Sequence, residues 1–449
     1  MKRANNRSKF LGELEEKMAT LNQNYDKLAA GYLFPEIRKR VDAFKAANPD
    51  VEIFRLGVGD TTEPLPKFIA DFIEESARRL AFREGYGKGR ILPEGHVMQV
   101  LQEADYDRYT GYGDEQGNKA LRAAMAKDYG SRGIAIEPGE VFINDGAKTD
   151  SANIGSIFSI DSIVAVEDPS YPVPVDSNVI AGRAGKFNDK TKQYERIVYM
   201  PCTKENGFFP ELPHGVVDLI YLIRPNNPTG AVATKEQLKK FVDYAREHKA
   251  VIIFDAAYCS FISDPSLPKS IYEIEGAKEC AIEINSFSKW AGFTGIRGGW
   301  TVVPKRMISD EDEPGKTNRL WNRRQTTMFN GASLLAQAGM LGVLTEEGQR
   351  ECQLVINFYK KNAQIIKKGL QQIGFEVFGG DNSPFVWAQT PNSMDSWEFF
   401  DKLIRETHVV CTPGAGFGPS GRGYVRFSAF GKRETVENAV ESVQKNLRL

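Results

Sequence analysis

From about residue 134 to 305 the chain alternates short β-branched runs with longer stretches of helical character, which predicts a mostly parallel sheet covered on both faces. One unit makes the logic plain. Asp218–Ile223 reads as a buried strand, and Pro225–Gly230 as a turn, because two prolines and a glycine can continue neither regular element. Thr234, with Gln237 three residues on, forms a capping box for a helix running to about Lys249. Val251–Phe254 is the next strand, and it ends in Asp255. Glu140–Asn144 reads the same way and leads into a short glycine turn, Asp145–Thr149, ahead of another helix. Open α/β sheets bind ligands beyond the carboxyl ends of their strands, so Asn227, Asp255 and Tyr258 stand where chemistry is expected.

Past about residue 330 the pattern changes to helices (332–344 and 350–372) mixed with short strands, which predicts a smaller α+β domain. The residues before about 57 are too few to bury a core alone and are expected to join it. The expected division is therefore 1–57 as an N-terminal arm and part of the small domain, 58–325 as the large domain, and 326–449 as the small C-terminal domain. Residues 83–110, rich in glycine and charge, read as an insertion or flexible loop.

Composition narrows the class of function. The 449 residues suffice for two or three domains, and 58 basic against 59 acidic residues leave a net charge of −1, with no clustered basic face. That argues against nucleic-acid and membrane-surface partners. Five cysteines without C-x-x-C spacing and four histidines suggest neither a disulfide framework nor a metal site. No apolar run approaches a membrane span, and the basic N-terminus lacks the apolar stretch of a signal peptide. A reducing compartment is expected: the cytoplasm, or the plastid stroma in a photosynthetic eukaryote.

The segment Asn285–Arg297 carries the most specific chemistry. It places Lys289 in a Ser/Gly-rich turn with Arg297 close behind. A lysine amine loses its proton readily when desolvated beside another cation, and can then join an aldehyde as a Schiff base. Arg297, with the hydroxyls of Ser286 and Ser288, suits a phosphate, for which a planar guanidinium fork is well shaped. An aldehyde and a phosphate on one ligand describe pyridoxal 5'-phosphate. That cofactor needs an anion near its pyridine nitrogen, which Asp255 supplies, and donors to its phenolate oxygen, which Tyr258 and Asn227 supply. The turn at Ala147 and Lys148 could cradle the phosphate with backbone amides, and Tyr171 could stack on the ring. Each residue alone has a plainer reading: Asp255 as a helix cap, Tyr171 as a core ring, Lys289 as a solvated loop lysine. The combination in this order points to the cofactor.

These residues resemble those of the fold-type I pyridoxal-phosphate aminotransferases, and further motifs resemble the LL-diaminopimelate aminotransferase family within them. The motifs are Gly31–Ile37, Gly57–Pro64, Gly111–Gly117, Asp145–Lys148, Phe329–Ser333, Pro413–Pro419 and Val425–Gly431, and the resemblance runs from about residue 24 to the C-terminus. It implies a homodimer with the active site at the interface, exchanging an amino group between glutamate and tetrahydrodipicolinate on the route to lysine. It further implies that Arg426 holds the substrate α-carboxylate near Asn227, and that Tyr112 reaches the phosphate from the partner subunit. Tyr32, Gly59, Glu115, Lys148 and Asn330 would line the substrate pocket, where an anion and a cation or amide suit the two charges at the far end of diaminopimelate. Four departures stand out. The stretch from Arg83 to Tyr112 is longer than usual and is expected to be a surface excursion near the dimer interface. Arg224 replaces a small residue, and Trp290 and Gly299 replace a smaller aromatic and an aliphatic residue. Two other functions share the same core residues: an aminotransferase of broader specificity acting on lysine or other amino acids, and a non-catalytic pyridoxal-binding regulator. Lys148, which a distal carboxylate would employ, disfavours the first. The lack of a basic recognition helix in the short N-terminal segment disfavours the second.

Overall fold

The structure, a computed structural model, describes residues 19–28, 33–80, 111–308 and 313–448. Tyr32 and the 83–110 segment lie outside the described residues. Seven strands make the principal sheet: β1 (Val141–Asn144), β2 (Val164–Asp168), β3 (Ile197–Pro201), β4 (Leu219–Ile223), β5 (Val251–Asp255), β6 (Ala281–Ser286) and β7 (Gly299–Val302). Their order is β1-β7-β6-β5-β4-β2-β3, and β7 alone runs antiparallel to its neighbours. Strands β1, β2, β4 and β6 are buried at every position, as expected of a sheet covered on both faces. Two apolar cores flank the sheet, one containing Leu222, Phe254 and Phe287, the other Tyr221, Ile253 and Ile284.

The local signals behave as the chain predicts. The Thr234 hydroxyl accepts from the Gln237 amide at 3.2 Å and the Gln237 side chain accepts from the Thr234 amide at 2.9 Å. The helix they cap, Lys235–Glu247, stops two residues earlier than its pattern suggests, because His248 leaves helical geometry and Lys249 turns to φ 55°. The helix expected over 350–372 instead starts at Glu346. Thr345 caps it by accepting from the Gly348 amide at 3.1 Å, so Gly348, a poor helix former, sits in its first turn. The helix expected over 332–344 spans Leu334–Val343 and packs into the core that contains Leu121 and Phe293.

A second sheet, β8 (Val377–Gly379), β9 (Phe385–Gln389), β10 (Thr412–Pro413) and β11 (Tyr424–Ser428), is antiparallel in the order β8-β9-β11-β10. Its core joins Val386 and Phe427 to Ile366, Phe399 and Val440, and also to Val41 and Leu56 from the beginning of the chain. Phe54–Arg55 pairs in parallel with Val409–Val410, which ties the early segment to this body.

Candidate active site

A cavity of about 500 Å³ opens at the carboxyl ends of β4, β5 and β6, between the principal sheet and β11. Its walls include Ala147, Lys148, Tyr171, Asn227, Asp255 and Tyr258, and also Ser286, Ser288, Lys289, Arg297, Arg426 and Gly59. The chain thus gathers these residues from seven separate stretches of sequence. Phe34, Val58, Asp60, Ile223, Ala257 and Thr294 complete the lining and were not singled out from the sequence. Of these, Asp60 carried a readable signal: it is a carboxylate directly after Gly59 in a motif already of interest.

Three other expected residues do not line this cavity. Tyr112 is 84 % exposed, Asn330 is exposed, and Glu115 is half-buried. Glu115 and Asn330 are nonetheless neighbours, since a Cβ on Gly331 would lie 3.1 Å from the Asp114 carbonyl and 3.6 Å from Glu115 Cα.

Lys289 sits in the four-residue helix Phe287–Trp290, which starts where β6 ends. Ser286 caps that helix by accepting from the Ser288 amide at 3.0 Å, while Trp290 stacks on Phe287 with ring centroids 5.3 Å apart. The lysine side chain is thereby aimed into the cavity, where its amine donates to the Gly59 carbonyl and lies 5.0 Å from the Phe430 ring centre. Burial pushes its pKa down to about 8, with Arg426 and Arg297 adding repulsion and Asp60 opposing it.

At the sheet end of the cavity Asp255 accepts from the Ala257 amide at 3.0 Å. Burial raises its pKa to about 6, the Ala257 amide lowers it, and the nearby Glu167 raises it further. A cationic ring nitrogen beside it would restore its charge. Burial likewise raises the Tyr258 hydroxyl, while Arg426 and a hydrogen bond with Asn227 pull it back.

Arg426 in β11 is 2 % exposed and donates to the Asn227 side chain at 2.6 Å and the Gly57 carbonyl at 2.7 Å. Its Nε is buried without a hydrogen-bond partner among the described residues, and burial lowers its pKa to about 10. Such a guanidinium is prepared for a carboxylate.

The cations Lys148 and Arg297 and the hydroxyls of Ser286 and Ser288 also line the cavity. Gly146 adopts φ +122°, and a Cβ there would come within 2.3 Å of the Arg297 guanidinium, so only glycine lets Arg297 lie against this turn. The turn is fixed from below. The Asn144 side chain accepts from the Gly146 amide at 2.9 Å and donates to Asp150 at 2.7 Å, and Thr301 donates to Asp150 at 2.6 Å. Lys148 extends over the Tyr171 ring at 6.0 Å. Cations and hydroxyls, a carboxylate and a partly deprotonated amine in one cavity fit a phosphate, a pyridinium and an aldehyde on one ligand.

The model of the family "Aminotransferase class I and II" matches residues 86–443. The chain belongs to that aminotransferase family. Its fold is fold-type I and its cofactor is pyridoxal 5'-phosphate, so it is a pyridoxal-phosphate-dependent transaminase acting on small molecules. Among solved structures it is similar to L,L-diaminopimelate aminotransferase from Chlamydomonas reinhardtii, with 45 % identity, 96 % of this chain and 99 % of that chain covered, and a TM-score of 0.85. It is also similar to substrate-bound BacF from Bacillus subtilis, at 25 % identity, covering 95 % and 98 % of the two chains, with a TM-score of 0.75. A single mutant of Thermus thermophilus aspartate aminotransferase, at 18 % identity over 95 % and 100 %, shares the fold with a TM-score of 0.76. No helix among the described residues of this aminotransferase is long and apolar enough to cross a membrane.

Proposed function

We propose that this aminotransferase interconverts LL-2,6-diaminopimelate and 2-oxoglutarate with tetrahydrodipicolinate and glutamate. The observation that carries the reading is the 45 % identity to the Chlamydomonas L,L-diaminopimelate aminotransferase over nearly the whole of both chains. The cofactor's contribution is to withdraw electrons from the substrate α-carbon. Everything else falls to the chain. Lys289 would hold the cofactor by its aldehyde and, as a free amine, would move the α-proton as base and then acid, for which a pKa of about 8 is suited. Asp255 keeps a proton on the ring nitrogen, and Tyr258 and Asn227 serve the phenolate oxygen. Ser286, Ser288, Arg297 and the amides at Ala147 and Lys148 hold the phosphate, and Tyr171 covers the ring.

Arg426 orients the substrate through its α-carboxylate, using the donor left without a partner. Two copies of the chain complete the site: Tyr112, exposed on its own copy, reaches the phosphate of the other. Tyr32, Gly59, Glu115, Lys148 and Asn330 together take the distal ammonium and carboxylate. Polar groups that such a substrate satisfies are left unpaired by lysine, which lacks the distal carboxylate, and this gives the site its selectivity.

The test is to add LL-diaminopimelate, meso-diaminopimelate, lysine and glutamate separately to the holoenzyme without keto acid and follow the absorbance of the lysine-bound cofactor. Rapid loss of the band with LL-diaminopimelate and glutamate, and little change with the other two, is expected. Equal loss with lysine would replace this reading with the broad-specificity one.

A further inference from the structure

Behind Asp255 lies a buried ion pair that the reaction as described does not use. Glu167 in β2 and Arg224, directly after β4, have side chains 0 % and 2 % exposed and are paired with each other. Arg224 also lies 4.6 Å above the Phe209 ring, in the core shared by Leu222 and Phe254.

The pair is bonded into the strand ends that carry the site. Glu167 accepts from the Ile223 amide at 2.8 Å and from the Asn226 side chain at 3.4 Å. Arg224 donates from its side chain to the Ile223 carbonyl at 2.5 Å and from its own amide to the Asp255 carbonyl at 2.9 Å. Ile223 is the register partner of Asp255, and Asn226 precedes Asn227, which binds Arg426. The pair of side chains therefore fastens β2 to the end of β4, and the next backbone amide along, that of Arg224, is bonded to the Asp255 carbonyl.

It also sets the field there. A buried carboxylate near a second carboxylate makes it harder for both to be ionised, unless a cation neutralises one of them. Arg224 is that cation. The other groups bearing on Asp255 are the Ala257 amide, which favours its ionised form, and the Tyr258 hydroxyl.

We propose that the Arg224–Glu167 pair is a positioning device for Asp255, locking its strand end in register and keeping the charge behind it balanced so that Asp255 stays ionised against the cofactor ring. This rests on Asp255 serving the ring nitrogen. Arg224, which departs from the small residue expected beside the Pro225–Gly230 turn, then has a purpose that Glu167 makes necessary. The two residues act as a unit, and neither touches substrate or cofactor.

The test uses Arg224→Met, Glu167→Gln, the double variant and the charge-preserving Arg224→Lys, measuring cofactor dissociation constant against pH and the half-reaction with glutamate. Arg224→Met leaves Glu167 unbalanced, so cofactor affinity is expected to fall about tenfold at neutral pH and its acidic limb to move up by about one pH unit. Glu167→Gln is expected to move that limb the other way, and the double variant to return it to within about threefold of the parent affinity. Arg224→Lys is expected to fold and to lie nearer the parent than Arg224→Met. KM for glutamate stays unchanged throughout while kcat follows the cofactor shift. Shifts of the same sign in both single variants, or a double variant as impaired as Arg224→Met, would overturn the proposal. A parent-like Asp255→Ala would instead show that the role of Asp255 is misassigned.

Discussion

Replacing Lys289 with methionine is expected to make the cofactor-free protein more stable at neutral pH. The cavity strips water from the Lys289 ammonium, and its pKa falls from 10.5 to about 8. At about 1.4 kcal/mol per pH unit, the protonated side chain costs the cofactor-free fold roughly 3 kcal/mol. Methionine fills similar space without the charge, so a gain of up to about 3 kcal/mol at pH 7 is expected. The sign with pH follows from linkage. Between about pH 8 and 10.5 the unfolded chain binds the proton and the folded one does not, so the parent protein gains stability as pH rises through that window. The margin of Lys289→Met is thus full below pH 8 and gone near 10.5. Denaturant unfolding of both proteins stripped of cofactor, followed by tryptophan fluorescence from pH 7 to 10.5, measures it. A margin that does not change with pH would refute the reasoning, as would a parent protein more stable at pH 7.

Three further substitutions separate the parts of the site. Gly146→Ala drives a methyl group into Arg297 from a left-handed backbone position, and equilibrium dialysis is expected to show cofactor affinity reduced by about tenfold or more. Asp150→Ala leaves Asn144 and Thr301 without their acceptor; it should cost about 1–3 kcal/mol in unfolding experiments and weaken cofactor binding through the loosened Gly146 turn, whereas unchanged cofactor affinity would show that the turn is held by other means. Arg426→Lys cannot reproduce the guanidinium fork, so kcat/KM should fall about 100-fold for every amino donor while cofactor affinity stays at the parent value.

Much of this was legible in the sequence where the governing forces are local. The Thr234 cap, the turn at Pro225–Gly230 and the strand ending in Asp255 follow from side-chain hydrogen bonding, proline geometry and apolar runs within a few residues. Lys289 and its neighbours were legible because the chemistry of an aldehyde and a phosphate demands particular groups close together. What escaped depends on distant parts of the chain meeting. The alignment of Arg426 by Gly57 and Thr412, the placement of Asp60 near Lys289, and the burial of Glu167 with Arg224 follow only from the way the second sheet and the strand ends come together. Arg224 was visible as an oddity, but its partner was not. The start of the helix at Glu346 was hidden by Gly348, whose low propensity is outweighed by the Thr345 cap and by close packing on the Gly342 carbonyl. Tyr112, Glu115 and Asn330 stand apart from the cavity of their own chain, which is why we assign them to the shared part of a two-copy site.

The most direct test of the central claim is to reduce the holoenzyme with borohydride, digest it, and locate the covalently fixed cofactor by mass spectrometry. The account predicts a single modified position, Lys289. Modification at Lys148, the other lysine among the described residues that line the cavity, or no fixed cofactor at all, would contradict it.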